Sequence, residues 1–219
     1  MGKVISFVSG KGGVGKTVIT ANVGLALSKL NKKVLVVDMD LGLRDLDIVL
    51  GVENRILYDI TDVLNGTVDY ERAVVKASDY NDITLLPASQ TRKNEEVSKD
   101  SLCELLKKLR LEFDYILLDS PSGIGVGFEN CVSVSDCVVV VITPDVCSFR
   151  NADKVLSELD RLLADNAKLL INRQGAKFLK SGKKDAKKQI DSLSVECLGI
   201  ISEGKLEKSA AEIAKRIVE

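Results

Sequence analysis

A glycine-rich segment near the amino terminus, residues 10–17, constrains the fold of this chain more than any other feature. It reads Gly-Lys-Gly-Gly-Val-Gly-Lys-Thr and matches the phosphate-binding pattern G-x-x-x-x-G-K-[ST]. The apolar run Val4–Val8 precedes it and a helical pattern follows it, so the segment joins a strand to a helix. Such a loop presents backbone N–H groups and a helix N-terminus to phosphate oxygens. The sequence therefore predicts nucleotide binding.

Every residue of this loop is a candidate nucleotide contact: Gly10, Lys11, Gly12, Gly13, Val14, Gly15, Lys16 and Thr17. Lys16 is expected to reach the β- and γ-phosphates, and the Thr17 hydroxyl is expected to bind Mg²⁺. An ordinary P-loop needs one lysine, whereas this one carries Lys11 as well. Lys11 is either a solvated charge or a group that reaches a phosphate across a dimer interface, and we favour the second interpretation.

Strand-like runs and helical patterns alternate along the chain. The nearly unbroken Val, Ile and Leu runs at 34–37 and 138–142 indicate strands buried on both faces, hence a parallel sheet. We expect one domain over residues 1–219, an α/β fold of three layers with a doubly wound, mainly parallel sheet of about seven to eight strands. The predicted strands are Val4–Val8, Lys33–Asp38, Ile83–Pro87, Tyr115–Asp119, Cys137–Thr143, Lys168–Asn172 and Cys197–Ile201. The predicted helices lie near Lys16–Leu30, Ile60–Asn65, Tyr70–Val75, Lys99–Arg110, Gly125–Val134, Arg150–Ala164, Lys183–Ser192 and Lys205–Val218.

Composition narrows the possible chemistry. The 219 residues include no histidine, which excludes a histidine base or metal ligand, and the net charge of -1 gives no general attraction to nucleic acid. Five cysteines without C-x-x-C spacing are typical of reduced thiols in a cytosolic chain. A run of six lysines between 177 and 188 is either a solvated helix face or a contact with anionic lipid or nucleic acid, and we favour the first.

Carboxylates follow the second and fourth predicted strands. Asp38 and Asp40 can hold Mg²⁺ or orient an attacking water, and without histidine a carboxylate is the obvious group for that role. Asp45 and Asp47 are interpreted as solvated or capping groups. Asp119 ends a four-residue apolar run, a Walker B pattern, and is expected to bind Mg²⁺ beside the P-loop.

The sixth predicted strand ends at Asn172 and Arg173. An asparagine amide presents a donor and an acceptor, as the edge of adenine does, so Asn172 is a candidate for reading the base.

Together these segments resemble the MinD/ParA family of deviant Walker A ATPases, which have the SIMIBI type of P-loop NTPase fold, and within it the MinD branch of bacterial division-site selection. The resemblance covers most of the chain. It includes residues 38–47, 119–124 and 143–146, and the Leu-Pro-Ala-Ser-Gln-Thr-Arg run at 86–92 separates MinD from ParA best.

The resemblance implies a switch that binds ATP, hydrolyses it to ADP with Mg²⁺, and closes as a homodimer. Lys11 would reach the phosphates of the other subunit, and Asp40 would orient the attacking water. The other implied roles are Thr17 and Asp119 at Mg²⁺, Asn172 and Arg173 beside adenine, and Asp145 facing Lys11 or the partner's nucleotide.

The family's partners are a MinC-like division inhibitor and a MinE-like activator, and the ATP dimer binds membrane. We expect a cytoplasmic chain and leave peripheral membrane contact open, because the family's basic targeting helix would lie beyond Glu219. The segment after Ile201 lacks a proline loop that helps to enclose the base, so adenine selectivity is also open. The alternative functions are a ParA-type partition or flagellar-number ATPase and a non-hydrolysing, nucleotide-gated interaction module.

Overall fold

A computed structural model of the chain describes residues 1–77, 83–175 and 190–219. Its strands are β1 (Lys3–Val8), β2 (Val34–Asp38), β3 (Val75–Lys76), β4 (Ile83–Leu86), β5 (Tyr115–Asp119), β6 (Cys137–Ile142), β7 (Ala167–Gln174) and β8 (Glu196–Ser202). Its helices are α1 (Lys16–Ser28), α2 (Leu46–Leu50), α3 (Ile60–Leu64), α4 (Tyr70–Ala73), α5 (Lys99–Leu109), α6 (Val126–Ser133), α7 (Val146–Arg161) and α8 (Leu206–Val218). The run of lysines at 177–188 lies outside the described residues, as does most of the predicted helix Lys183–Ser192.

The strands form one eight-stranded sheet in the order β3-β4-β2-β5-β1-β6-β7-β8. All neighbouring strands are parallel except β3 and β4, which are antiparallel. Side chains alternate between the two faces, so Ile5 and Phe7 of β1 pack on the side of α1 and α8, while Val4 and Val8 face the helices of the opposite layer. Helices therefore cover both faces, which confirms the predicted three-layer, mainly parallel fold.

Three local predictions were wrong. Residues 70–75 do not form one helix, because α4 ends at Ala73 and Val75 begins the short edge strand β3. No helix was predicted over residues 46–50, where α2 lies. Helix α7 begins at Val146 rather than Arg150, since the Asp145 side chain accepts the backbone N–H of Ser148 at 3.0 Å and caps the helix there.

The topology gathers the predicted site residues at one edge of the sheet. The P-loop follows β1, the loop with Asp40 follows β2, and Asp119 is the last residue of β5. Asp38 and Asp119 are paired residues of the neighbouring strands β2 and β5. Because the carboxyl ends of parallel strands meet at the same edge, residues far apart in sequence share a single cleft.

Candidate nucleotide-binding site

The P-loop has the backbone shape that phosphate binding requires. Gly13 and Gly15 have φ values of 76° and 90°, in the left-handed region that favours glycine. Gly15 is the N-cap of α1, which begins at Lys16, so the positive end of the helix points into the loop. A cleft of about 430 Å³ opens here, lined by residues 12–18 and by Asp40, Asp45, Ser122 and Arg173, among others.

Lys16 and Asp119 form a buried ion pair at the bottom of this cleft. Lys16 Nζ lies 3.0 Å from Asp119 Oδ1, and the side chains are only 5% and 1% exposed. The Thr20 hydroxyl lies 3.4 Å from Asp119 Oδ1 and 3.0 Å from the Lys16 carbonyl, and its one proton can be donated to either acceptor. In this state the lysine expected to bind phosphate is paired with the Walker B carboxylate instead.

The other carboxylate oxygen of Asp119 provides a test for Mg²⁺. Asp119 Oδ2 is buried and has no hydrogen-bond partner among the described residues. A buried acceptor in that condition is costly unless a ligand satisfies it, and a carboxylate oxygen is a ligand that Mg²⁺ prefers. Thr17 lines the same cleft. Asp119 and Thr17 therefore fit a bound Mg²⁺.

Asp38 is held by the loop that follows it. Its Oδ1 accepts the backbone N–H of Asp40 at 3.0 Å, and its Oδ2 accepts that of Leu46 at 3.2 Å. Burial, and secondly the charge of Asp119, raise the pKa of Asp38 to about 8. The contacts assign Asp38 an anchoring role for residues 40–46, and its predicted role at Mg²⁺ stays a prediction.

Asp40 borders the cleft at partial burial. Burial raises the pKa of its carboxyl, and the nearby positive charge of Lys16 opposes that shift. The loop beyond it is fixed by an ion pair between Arg44 Nε and Asp47 Oδ2 at 2.8 Å. Asp47 was interpreted as a solvated or capping group; it is 1% exposed, so only the solvated alternative is wrong, and its Oδ1 accepts the backbone N–H of Ile48 at 2.8 Å in the first turn of α2.

Lys11 is not among the residues that line the cleft, and it forms an ion pair with Asp145, which does not line the cleft either. Its Nζ lies 3.7 Å from Asp145 Oδ1, and the two side chains are 46% and 43% exposed. A hydrogen bond from the Thr143 hydroxyl at 2.6 Å, helped by the Ser148 N–H, holds the pKa of Asp145 below its usual range. The structure thus brings Lys11 and Asp145 together within one chain.

Asn172 and Arg173 reach the P-loop from β7. Asn172 Nδ2 donates to the Val14 carbonyl at 2.7 Å, and an Arg173 guanidinium nitrogen donates to the Gly13 carbonyl at 3.0 Å. A second cleft of about 360 Å³ lies on their other side, lined in part by Val18, Ile201 and Glu203. Arg173 thus lines both clefts, and Asn172 lines the second one.

The sequence interpretation missed two features of the site. Thr20 was not singled out, although its position four residues after Lys16 places both on one face of α1. The apolar rim of the phosphate cleft at Leu43, Ile48 and Val49 was missed because α2 was not predicted.

Comparison with known proteins defines the family. Residues 2–171 match the sequence model of a family described as an AAA domain. The chain is 44% identical over 204 residues to the septum site-determining protein MinD of Thermotoga maritima, covering 92% of this chain and 75% of that protein. The chain belongs to the MinD family. It is a MinD-like ATPase of division-site selection that uses ATP and Mg²⁺.

Solved MinD structures share the fold. The MinC:MinD cell division protein complex of Aquifex aeolicus matches with a TM-score of 0.88 and 38% identity, over 99% of this chain and 95% of that chain. MinD of Pyrococcus horikoshii, complexed with Mg-ADP, matches with a TM-score of 0.83 and 26% identity, over 99% and 96% of the two chains.

Among the described residues, none of the helices is both long and apolar enough to span a bilayer.

Proposed function

We propose that this MinD-family ATPase is a switch in which ATP closes two copies face to face, and Lys11 of each copy reaches the phosphates held by the other. The position of Lys11 carries this proposal. Its side chain is about half exposed and contacts Asp145 at 3.7 Å, whereas residues 12–18 line the cleft of the same chain. An exposed pair of this kind contributes about 1 kcal/mol or less, so a triphosphate on a second copy can compete for the lysine.

Exposed apolar side chains in two segments near the P-loop support a contact between copies: the loop after β5, whose Gly123 N–H donates to the Ser9 carbonyl at 2.9 Å, and the start of α7. Ile124 and Val126 follow the Walker B strand and are 44% and 45% exposed, and Val146 follows Asp145 at 73%. Burial of such side chains against a second copy would stabilise a dimer by about 25 cal/mol per Å² of apolar surface, before the cost of association. The proposed interface thus combines apolar contacts with the charge of Lys11.

Within each copy, the P-loop amides and Lys16 would hold the phosphates. Lys16 would exchange Asp119 for phosphate oxygens, and Asp119 and Thr17, with Asp38 nearby, would hold Mg²⁺. The ion supplies positive charge that offsets the charge developing on the phosphate oxygens. The cleft beside Asn172 and Arg173 would receive the adenine.

Asp40 is the group that we assign to the attacking water. It lies at the rim of the phosphate cleft, and its backbone is held by the anchored carboxylate of Asp38. Burial raises the pKa of Asp40, which makes its carboxylate a stronger base toward water, and the positive charge of Lys16 opposes that shift. Lys11 from the second copy would complete the site, so a single copy would hydrolyse ATP slowly.

The partners follow from the family. The Aquifex match is a complex of MinD with MinC, which supports a MinC-like division inhibitor as a partner of the ATP-bound dimer. A MinE-like activator and peripheral contact with the inner face of the cell membrane complete the proposed cycle. Size measurements with ADP, ATP and a non-hydrolysable analogue, with and without liposomes, would detect the dimer and the membrane contact.

A mixing experiment tests whether Lys11 acts on the other copy. Lys11→Ala keeps its own Asp40, and Asp40→Ala keeps a Lys11 that it can donate. Each variant alone should bind ATP and hydrolyse it slowly, whereas their mixture should recover activity in mixed dimers, in which one of the two sites has both Asp40 and a donated Lys11. Lys11→Ala hydrolysing ATP at the parent rate as a monomer would contradict the proposal. Mixing Asp40→Ala with Lys16→Met provides the control, because neither site of that mixed dimer has both Lys16 and Asp40.

A further inference from the structure

An irregularity in β7 turns two side chains toward the P-loop. Ile171 pairs with Ile200 of β8 and Gln174 pairs with Ser202, so Asn172 and Arg173 together oppose the single residue Ile201. This is a β-bulge, and Arg173 takes a left-handed φ of 56° within it. Bulges re-aim side chains and are frequent beside functional sites.

The two re-aimed side chains contact three consecutive residues of the P-loop. Arg173 donates to the Gly13 carbonyl at 3.0 Å, and Asn172 donates to the Val14 carbonyl at 2.7 Å. A Cβ atom on Gly15 would lie 2.5 Å from Asn172 Nδ2, so the amide packs directly against that glycine. Asn172 is 7% exposed, and its Oδ1 accepts the backbone N–H of Arg173 at 2.9 Å, which fixes the orientation of the amide.

These contacts determine where the loop's amides point. In a trans peptide the C=O and the following N–H point in opposite directions. Holding the carbonyls of Gly13 and Val14 toward β7 therefore directs the N–H groups of Val14 and Gly15 to the other side of the loop. Amides held in one orientation before the ligand arrives lower the cost of binding an anion.

We propose that Asn172 and Arg173 are positioning residues that clamp the P-loop, and that they strengthen the binding of any polyphosphate whether or not it carries a base. This clamp rests on the nucleotide binding proposed above, and it adds a role separate from contact with adenine. The Asn172 amide donates one N–H to the Val14 carbonyl of the loop, and its oxygen accepts the N–H of Arg173. We therefore expect Asn172 to affect mainly the affinity for the phosphates.

Calorimetric titration of the variants with ATP, GTP and inorganic tripolyphosphate, each with Mg²⁺, tests the clamp. Arg173→Ala is the main variant, since Arg173 is exposed and its removal leaves the core intact. We expect about tenfold weaker binding of all three ligands, with a similar ratio for each. Arg173→Lys should restore most of the affinity, because an ammonium group can still donate to the Gly13 carbonyl. Arg161→Ala, which removes an exposed arginine paired with Glu158 and Glu129, should leave all three affinities unchanged.

Arg173 could also attract phosphate directly through its charge. Asparagine carries no charge, so a loss of affinity in Asn172→Ala would be due to the clamp and not to such an attraction. Asn172→Ala should also weaken tripolyphosphate binding about tenfold. In the nucleotide-free protein, both alanine variants should shift the NMR signals of the Val14 and Gly15 amides. A residue that only reads the base would leave those signals in place.

A loss of ATP affinity with unchanged tripolyphosphate affinity would overturn the clamp, as would unchanged affinity for every ligand. A parent protein that binds ATP but not tripolyphosphate would overturn it too, because the clamp assigns binding to the contacts between loop and phosphate. Failure of the parent protein to bind ATP would instead contradict the proposed function. The outcomes for the two proposals are therefore distinct.

Discussion

Lys16 Nζ and Asp119 Oδ1 lie 3.0 Å apart, and almost no water reaches either side chain. Each charge compensates the other in a place where neither can be hydrated. In the proposed switch, ATP binding breaks this pair, with the triphosphate pairing with Lys16 and Mg²⁺ with Asp119. Removing either partner would therefore leave the other one buried without its counter-charge.

Breaking this pair from one side should destabilise the protein. Lys16→Met or Asp119→Asn leaves a buried, uncompensated group and should lower the free energy of unfolding by about 3–5 kcal/mol. Replacing both residues, in Lys16→Met/Asp119→Leu, should cost less than the sum of the single changes. Urea unfolding without nucleotide measures all three values. The control Lys107→Met removes a solvent-exposed pair with Glu104 and should change the free energy of unfolding far less than either single variant. Single variants at Lys16 and Asp119 that match this control would contradict the role of the buried pair.

The raised pKa of Asp38 predicts a pH dependence. Its folded-state pKa is about 8 against an ordinary value of 3.8, so between these values the folded state binds the extra proton. The free energy of unfolding should therefore fall as pH rises through this window and level off above it. Asp38→Asn cannot ionise and should flatten that decline, while the exposed Asp153→Asn should leave it unchanged. Urea unfolding of the metal-free protein from pH 5 to pH 9 provides the measurement, and parallel curves for the parent and Asp38→Asn would contradict the prediction.

Alanine substitutions at Gly15 and Gly66, which both have positive φ, distinguish the cost of a steric clash from the cost of backbone strain. A Cβ on Gly15 would meet Asn172 Nδ2 at 2.5 Å, whereas one on Gly66 would have no atom within 4 Å. The φ values are 90° and 71°. Gly66→Ala should cost only the left-handed penalty of about 1–2 kcal/mol. Gly15→Ala should cost more and should also weaken ATP binding. Equal losses of stability, measured by urea unfolding, would show that Asn172 does not pack tightly on the loop.

Much of this arrangement could be predicted from the sequence, because local patterns determine it. The P-loop has a fixed spacing, and seven of the eight strands follow from buried apolar runs. The rule that ligands bind at the carboxyl ends of parallel strands then places Asp40, Asp119 and Asn172 together. The start of α7 could also have been predicted from the sequence, because Asp145 is a residue type that caps helices, and its side chain accepts the N–H of Ser148 three residues later.

The remainder depends on tertiary contacts. Strand β3 has two residues, too few to show a period, and it exists because it pairs with β4. The ion pair of Lys16 with Asp119 joins residues 103 positions apart. The bulge at Asn172 depends on the register of β7 against β8, which the pattern of either strand alone does not determine.

In the proposed switch, Lys11 joins two copies around ATP, and light scattering with a non-hydrolysable ATP analogue measures whether it does. The parent chain should double its mass from 23.8 kDa in the analogue and remain single in ADP. Lys11→Ala should bind the analogue with nearly parental affinity and remain single. A Lys11→Ala chain that doubles its mass as the parent does, or a parent that stays single when saturated with the analogue, would contradict the account.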